Sequence, residues 1–383
     1  MASSRPAWAS LNSEYQAYGQ CFKRLKLTRW GNFWTYGVLF AAVLTVLSFV
    51  LLWWQQVGQI FTAWDPVMSY NTWATMWAAG HVPQYTWHYP QLITANWSLA
   101  YVMIGSINGA INLEIFPKAI MPMFAVLLLW NIFTLAVERK QPAYWLAVCL
   151  TGYCLTHLVA HNLGQGWMDV PVTMMDFVFV SFLFVLAETT QWRRLIWLMA
   201  LVVAAGAVTK QAGLCFLWLF PVLVYWGGLR AKTHRGVWTH IIAAWVVAML
   251  IALPWYIYIQ HAIDVGSAHS EVGFVTSTIY SDVHLGVFRY LWPFFELGWV
   301  PLVLFAIVCC QHRVGHPWRL IFWVFILPYS LIWYGLYSYS LRNMTILIPL
   351  VCCVAALAVW RAGWLRDAAK TVANWVRQFE PWV

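Results

Sequence analysis

Ten apolar stretches recur along the chain, at Trp34–Trp54, Pro117–Val137, Ala143–Leu163, Pro171–Ala187, Leu195–Thr209, Ala212–Trp226, Trp238–Tyr258, Tyr290–Cys310, Leu320–Leu336 and Met344–Trp360. Each is roughly 15 to 23 residues long, the length a helix rising about 1.5 Å per residue needs to cross a hydrocarbon layer about 30 Å thick. The pattern predicts an all-α polytopic membrane protein of about ten transmembrane helices. An eleventh apolar run, Leu92–Leu113, is long enough to cross, but a crossing there would invert every later loop. With Asn96, Asn108 and Asn112 inside it, it reads as a surface-lying or re-entrant part of the first outer loop.

The predicted organisation is an interfacial N-terminal segment (1–31), a transmembrane domain (32–362) and an amphipathic tail (363–383). Residues 55–116 and 259–289 form its larger outer loops, the first with short surface helices, and no separate soluble domain is expected. Tyr15, Tyr18, Phe22 and Leu25 line one helical face beside Lys23, Arg24 and Lys26, and Trp364, Ala368, Val372, Trp375 and Phe379 oppose Arg366, Lys370 and Arg377. Both ends therefore read as membrane-surface anchors.

Composition agrees: 62% of the 383 residues are hydrophobic and 9% charged, too little polar surface for a soluble domain. The 29 Trp and 18 Tyr suit a chain that crosses two interfaces many times. Eight Cys lie scattered or adjacent within apolar runs, which reads as packing. With the basic N-terminus placed in the cytoplasm, all but four of the 22 Lys and Arg fall in cytoplasmic segments, as the positive-inside rule requires. The net charge of +9 thus reports orientation and anionic lipid, and gives no support to nucleic-acid binding. No cleavable signal peptide is apparent; a bacterial inner membrane is the expected location, with both termini cytoplasmic.

The four exceptions are Lys118, Lys210, Arg289 and Arg342. Lys118 and Arg289 read as headgroup anchors. Lys210 and Arg342 stand at the outer ends of spans, where a cation meets either a lipid phosphate or an internal carboxylate. The acids Asp65, Glu114, Asp169, Asp264, Glu271 and Asp282 fall in outer segments, while Asp176 and Glu296 lie within spans. Asp65, in Trp64-Asp65-Pro66, directly follows the first span, and Asp169, in Gly166-Trp167-Met168-Asp169-Val170-Pro171, enters another. Each reads either as a functional carboxylate or as a helix N-cap. His157 and His161 share a helical face but have no third ligand nearby, so hydrogen-bonding histidines are expected there. No cofactor is called for; a divalent metal at His269, Glu271, Asp282 and His284 is the lesser alternative to a solvated loop.

Taken in order, these pieces resemble the GT-C glycosyltransferases, in particular the branch of the protein O-mannosyltransferases and the lipid A aminoarabinose transferase. The resemblance rests on Trp64-Asp65, Ala78-Ala79-Gly80, His88-Tyr89-Pro90-Gln91-Leu92, Asp169-Val170-Pro171, Thr209-Lys210-Gln211-Ala212-Gly213, Pro254-Trp255-Tyr256 and the segment from Arg342 to Pro349. It implies that Asp65 accepts a proton from an acceptor hydroxyl, that Asp169 helps to hold the site, and that Lys210 and Arg342 bind the phosphate of a polyprenyl-phosphate sugar. His88, Tyr89, Tyr70 and His81 would then shape the substrate cavity. Two features depart from the branch: Asp65 is followed by Pro66 where a second acid is common, and no large soluble domain follows the last span.

The expected activity is inverting transfer of a hexose-like sugar from a polyprenyl-phosphate donor to a glycolipid, a polysaccharide or lipopolysaccharide intermediate, or a protein, on the outer membrane face. A transporter or lipid flippase is the first competitor, although no inverted repeat is visible. A noncatalytic subunit on a GT-C scaffold is the second.

Overall fold

The computed structural model describes residues 29–83, 86, 88–104, 114–159, 163–229, 236–266, 317–332 and 341–362. Eleven α-helices are named here in chain order: α1 (Arg29–Gln56), α2 (Thr72–Ala78), α3 (Leu92–Ile104), α4 (Ile115–Glu138), α5 (Ala143–Leu158), α6 (Asp169–Glu188), α7 (Trp192–Ala207), α8 (Leu214–Val224), α9 (Val237–Asp264), α10 (Trp318–Ile332) and α11 (Ile348–Ala362). Short π turns precede α2 and follow α8, another lies within α10, and 3₁₀ turns lead into α8 and α11. No strand occurs among the described residues.

Nine of the ten predicted spans coincide with helices, and the tenth, Tyr290–Cys310, lies outside the described residues. Six stretches are long and apolar enough to cross a membrane, while α3, α5 and α10 are shorter apolar helices. The two terminal anchors also fall outside the described residues.

The helices bundle around one large core in which α11 is the most enclosed. Ile348, Cys353, Val354, Ala355, Ala356 and Ala358 are fully buried, and this helix packs on α5 and α6. Its run of small residues allows close approach, and close packing is what holds helices together where lipid offers no hydrophobic drive. Cys352 and Cys154 lie 4.0 Å apart, buried between α11 and α5 and not joined in a disulfide. By contrast, Phe40, Leu44, Leu47, Leu51 and Trp54 of α1 are exposed; an apolar helix bare on one side is a lipid-facing helix.

Faces of the bundle are identified by contacts at helix ends. At one end Arg139 pairs with Glu188 and Trp318 Nε1 donates to Tyr144 Oη at 2.8 Å. At the other, Trp53 Nε1 donates to the Ala119 carbonyl at 2.7 Å, so the last turn of α1 and the first of α4 are neighbours. The segment joining α1 to α4 therefore leaves and returns on one face; residues 105–113 of the predicted Leu92–Leu113 run lie outside the described residues. The N-terminus of α3 is fixed at that face, where Leu92 N–H donates to the Val208 carbonyl at 2.9 Å.

This outer layer has its own core of Phe61, Tyr70, Trp73, Ala74, Ile93, Trp97, Tyr101, Met121 and Met168. Trp97 stacks on Phe61 at 4.9 Å between ring centres. Below it lies a buried polar cluster. Asn71 Nδ2 donates to Glu114 Oε1 at 2.8 Å, Tyr101 Oη donates to Asn71 Oδ1, and Lys118 Nζ donates to the Ile60 carbonyl at 2.6 Å. Lys118 is 2% exposed, which overturns its reading as a headgroup anchor: its charge is consumed inside the protein, tying the chain after α1 to the start of α4. Arg289 lies outside the described residues.

Candidate functional site

Four charged residues from distant parts of the chain meet at this same face. Asp65 follows α1, Asp169 opens α6, Lys210 follows α7 and Arg342 precedes α11. Arg342 Nη1 donates to Asp65 Oδ2 at 2.9 Å across 277 positions of sequence. Lys210 Nζ pairs with Asp169 Oδ1 and also donates to Asn343 Oδ1 at 3.3 Å. Because Asn343 directly follows Arg342, the two ion pairs belong to one site.

Local sequence explains each placement. Asp65 occupies the position before a Pro-initiated helical turn, yet its side chain makes no capping bond; the carboxylate turns to Arg342 instead. Asp169 is the first residue of α6, with Met168 at the N-cap position and likewise no side-chain cap. Neither acid acts as the helix cap that spacing alone allowed. At the N-terminus of α6 the Asp169 charge still gains from the helix dipole.

Lys210 breaks away from α7 in an extended conformation before the turn Gln211–Gly213. Gly213 is required there, because a Cβ on it would collide with the backbone of Gly206. The loop ahead of Asp169 is anchored to the loop ahead of Asp65. Gln165 Oε1 accepts from Thr62 N–H at 3.0 Å, Thr62 Oγ1 at 2.9 Å and Ala63 N–H at 3.2 Å. Gly166 supplies the left-handed turn this needs, with φ of 83° and the Phe61 ring where a side chain would be.

The two ion pairs differ in their access to solvent. The Lys210 and Asp169 side chains are 10% and 5% exposed, those of Arg342 and Asp65 20% and 32%. The Arg342 guanidinium lies 4.0 Å over the Trp167 ring, a stacking that holds a cation independently of its carboxylate.

Aromatic residues line the same region. The Tyr70 ring centre lies 5.3 Å from that of Trp73 and 6.0 Å from that of Tyr89. Burial, and then the neighbouring Tyr89 and Asp169, push the Tyr70 hydroxyl well above its ordinary value, so it stays protonated and able to donate. Gln91 secures the Tyr89 turn: its Nε2 donates to the Tyr89 carbonyl at 2.9 Å, and its Oε1 accepts from Thr94 Oγ1 at 2.8 Å and Trp77 Nε1 at 3.2 Å. His88 Nε2 lies 3.1 Å from Gln260 Oε1, linking this loop to the outer end of α9. His81 is exposed beyond α2.

Gln165, Trp167, Gln91 and Asn343 received no role from the sequence. The signals were thin: a Gln between two glycines ahead of an acid, and an Asn adjoining an outward Arg. Asp176 is buried two turns below Asp169, and among the described residues neither carboxylate oxygen has a hydrogen-bond partner. His157 bonds within its own helix, where Nδ1–H donates to the Tyr153 carbonyl at 2.9 Å and the ring stacks on Tyr153 at 3.9 Å between centres. Among the described residues no group of three or more metal-ligating side chains is gathered; His161, His269, Glu271, Asp282 and His284 lie outside them.

No family model matches the chain, and no curated protein sequence does. A solved structure of ArnT from Cupriavidus metallidurans bound to undecaprenyl phosphate is similar in fold, with a TM-score of 0.55 at 15% sequence identity, over 83% of this chain and 60% of that one. The chain thus spans less than two thirds of that protein's length and shares its fold.

Proposed function

We propose that the protein is an inverting glycosyltransferase that moves a hexose-like sugar from a polyprenyl-phosphate donor to a glycolipid, a polysaccharide or lipopolysaccharide intermediate, or a protein. The reaction takes place on the outer face of a bacterial inner membrane, with both termini in the cytoplasm. The observation that carries this reading is the meeting of Asp65, Asp169, Lys210 and Arg342 at one face of a GT-C bundle. Convergence of two acids and two cations favours this reading, as their dispersal would have favoured a scaffold or transporter. The bound undecaprenyl phosphate of ArnT supports a polyprenyl-phosphate donor.

In this mechanism Asp65 accepts the proton of the acceptor hydroxyl as its oxygen bonds to the anomeric carbon. The bond from that carbon to the phosphate oxygen breaks, and its electron pair leaves on the lipid phosphate. The positive charge of Arg342, with Lys210 behind it, offsets the charge that develops on the phosphate. Tyr70, held protonated beside these charges, donates a hydrogen bond to the substrate, and Tyr89 and His88 border the cavity. Asp169 fixes Lys210.

The test is transfer of radiolabelled sugar from a panel of polyprenyl-phosphate donors into membrane extract, with wild type beside Asp65→Asn at equal protein level. Label transferred by wild type alone supports both the reaction and the role of Asp65. Equal transfer by both removes Asp65 from the mechanism. No transfer by either, across a panel covering neutral, amino and acidic sugars, favours the scaffold or transporter reading.

A further inference from the structure

The site's two ion pairs are not equivalent, and their difference bears on how the base is controlled. Asp65 is paired with Arg342 through Oδ2. Through Oδ2 the guanidinium fixes the rotation of the Asp65 side chain and aims the carboxylate at Arg342, so the pair in this structure is a resting arrangement of the proposed base. We infer that the Asp65–Arg342 pair is exchangeable: the donor phosphate takes Arg342 and returns Asp65 to the acceptor, while Lys210–Asp169 stays closed as a positioning pair. This rests on the reading of the protein as a polyprenyl-phosphate glycosyltransferase.

Several features of the structure support the exchange. The Arg342 and Asp65 side chains retain 20% and 32% exposure, so an incoming anion can reach them; those of Lys210 and Asp169 retain 10% and 5%. Arg342 stays in place without Asp65, because its guanidinium rests on Trp167 at 4.0 Å. The Asp65 segment also stays in place without Arg342. Thr62 and Ala63 are bonded to Gln165, and the Val67 N–H donates to the Ala63 carbonyl at 3.2 Å. Since Asp65 makes no capping bond, its side chain can rotate while the backbone remains fixed.

Lys210 lacks that freedom. Its ammonium bonds both Asp169 and Asn343, and the following turn is pressed onto α7 at Gly213. Phosphate oxygens offer a guanidinium the same fork of acceptors as a carboxylate does. Arg342 can therefore change partners without a loss of hydrogen bonds. The exchange imposes an order: donor binds first, and Asp65 becomes a base only when a sugar phosphate is in position to react.

The test is equilibrium binding of undecaprenyl phosphate to the detergent-solubilised full chain, comparing wild type, Asp65→Asn and Asp169→Asn. If binding must break the Asp65–Arg342 pair, Asp65→Asn removes that cost, and affinity rises by about fivefold, the scale of a partly exposed ion pair. Asp169→Asn, which removes a carboxylate that acts on Arg342 only at longer range, gives a clearly smaller rise. Unchanged or weaker affinity in Asp65→Asn overturns the exchange. An equal rise in both variants also overturns it, since that is simple relief of charge repulsion.

Should Asp169→Asn fail to fold, carbodiimide labelling of wild type replaces it. Undecaprenyl phosphate is then expected to increase modification of Asp65 and leave Asp169 unchanged, and an unchanged or reduced Asp65 signal overturns the exchange. Wild type that binds no undecaprenyl phosphate contradicts the transferase reading itself, a result distinct from any pattern among the variants.

Discussion

Arg342 illustrates how a single side chain can carry opposite meanings until its surroundings are known. An outward cation at a span end can serve a lipid phosphate or an internal carboxylate, and the structure places it against Asp65 while keeping it open to solvent. Arg342→Gln is therefore expected to weaken undecaprenyl phosphate binding at least about tenfold, the scale of one charge-assisted hydrogen bond, as read by equilibrium binding. Arg342→Lys recovers only part of this, because an ammonium cannot form the fork or stack as well on Trp167. Lys210→Met leaves the buried Asp169 carboxylate without its hydrogen-bonded cation, which costs about 3 to 5 kcal/mol. The expected readout is a large loss of thermal stability in detergent, much greater than that of Arg342→Gln. The acids and cations were all legible in the sequence, because each breaks a rule that an apolar chain otherwise obeys. Their pairing was not: Asp65 and Arg342 are 277 residues apart, and no local pattern encodes a contact across that distance.

At the scale of elements, helices were legible where apolar length alone decides, and less so where packing does. The spans α4, α6 and α9 follow directly from their hydrophobic runs. The outer loop was legible only as an interruption, since its buried cluster of Asn71, Tyr101, Glu114 and Lys118 joins residues from three separate elements. Lys118 was misread for this reason: charge patterning reports the side of the membrane, not whether a neighbouring carbonyl will be turned toward the ammonium. Gly213→Ala should force the Lys210 turn away from α7, lowering stability by about 1 to 3 kcal/mol in a thermal unfolding experiment. Glu114 gives a pH prediction. Burial raises its carboxyl above the ordinary 4.5 despite the Phe61 N–H and Lys118, so the folded state holds this proton more tightly than the unfolded state. That contribution is fully present below about pH 4.5 and is lost as pH rises through the higher folded value. Melting temperatures of wild type relative to Glu114→Gln should accordingly fall between pH 4.5 and neutrality; a parallel pair of curves contradicts this.

For the whole molecule, the central relation is between sidedness and chemistry. The ends of α1 and α4 meet on one face, and the four charges gather on that same face, the face to which the proposed reaction assigns the lipid-linked sugar. Val82→Cys on the first outer loop should react with a membrane-impermeant maleimide applied to spheroplasts, and Gln191→Cys at the opposite face only after lysis; the reverse pattern inverts the assigned orientation. The fold shared with ArnT supplies the scaffold, and the site, not the fold, supplies the argument for activity. The most direct measurement is a cryo-EM structure of the full chain with undecaprenyl phosphate in a nanodisc. The account predicts the phosphate within hydrogen-bond reach of Arg342 at the outer face, with Asp65 released and Lys210 still on Asp169. Phosphate bound elsewhere, with the Asp65–Arg342 pair intact, would contradict it.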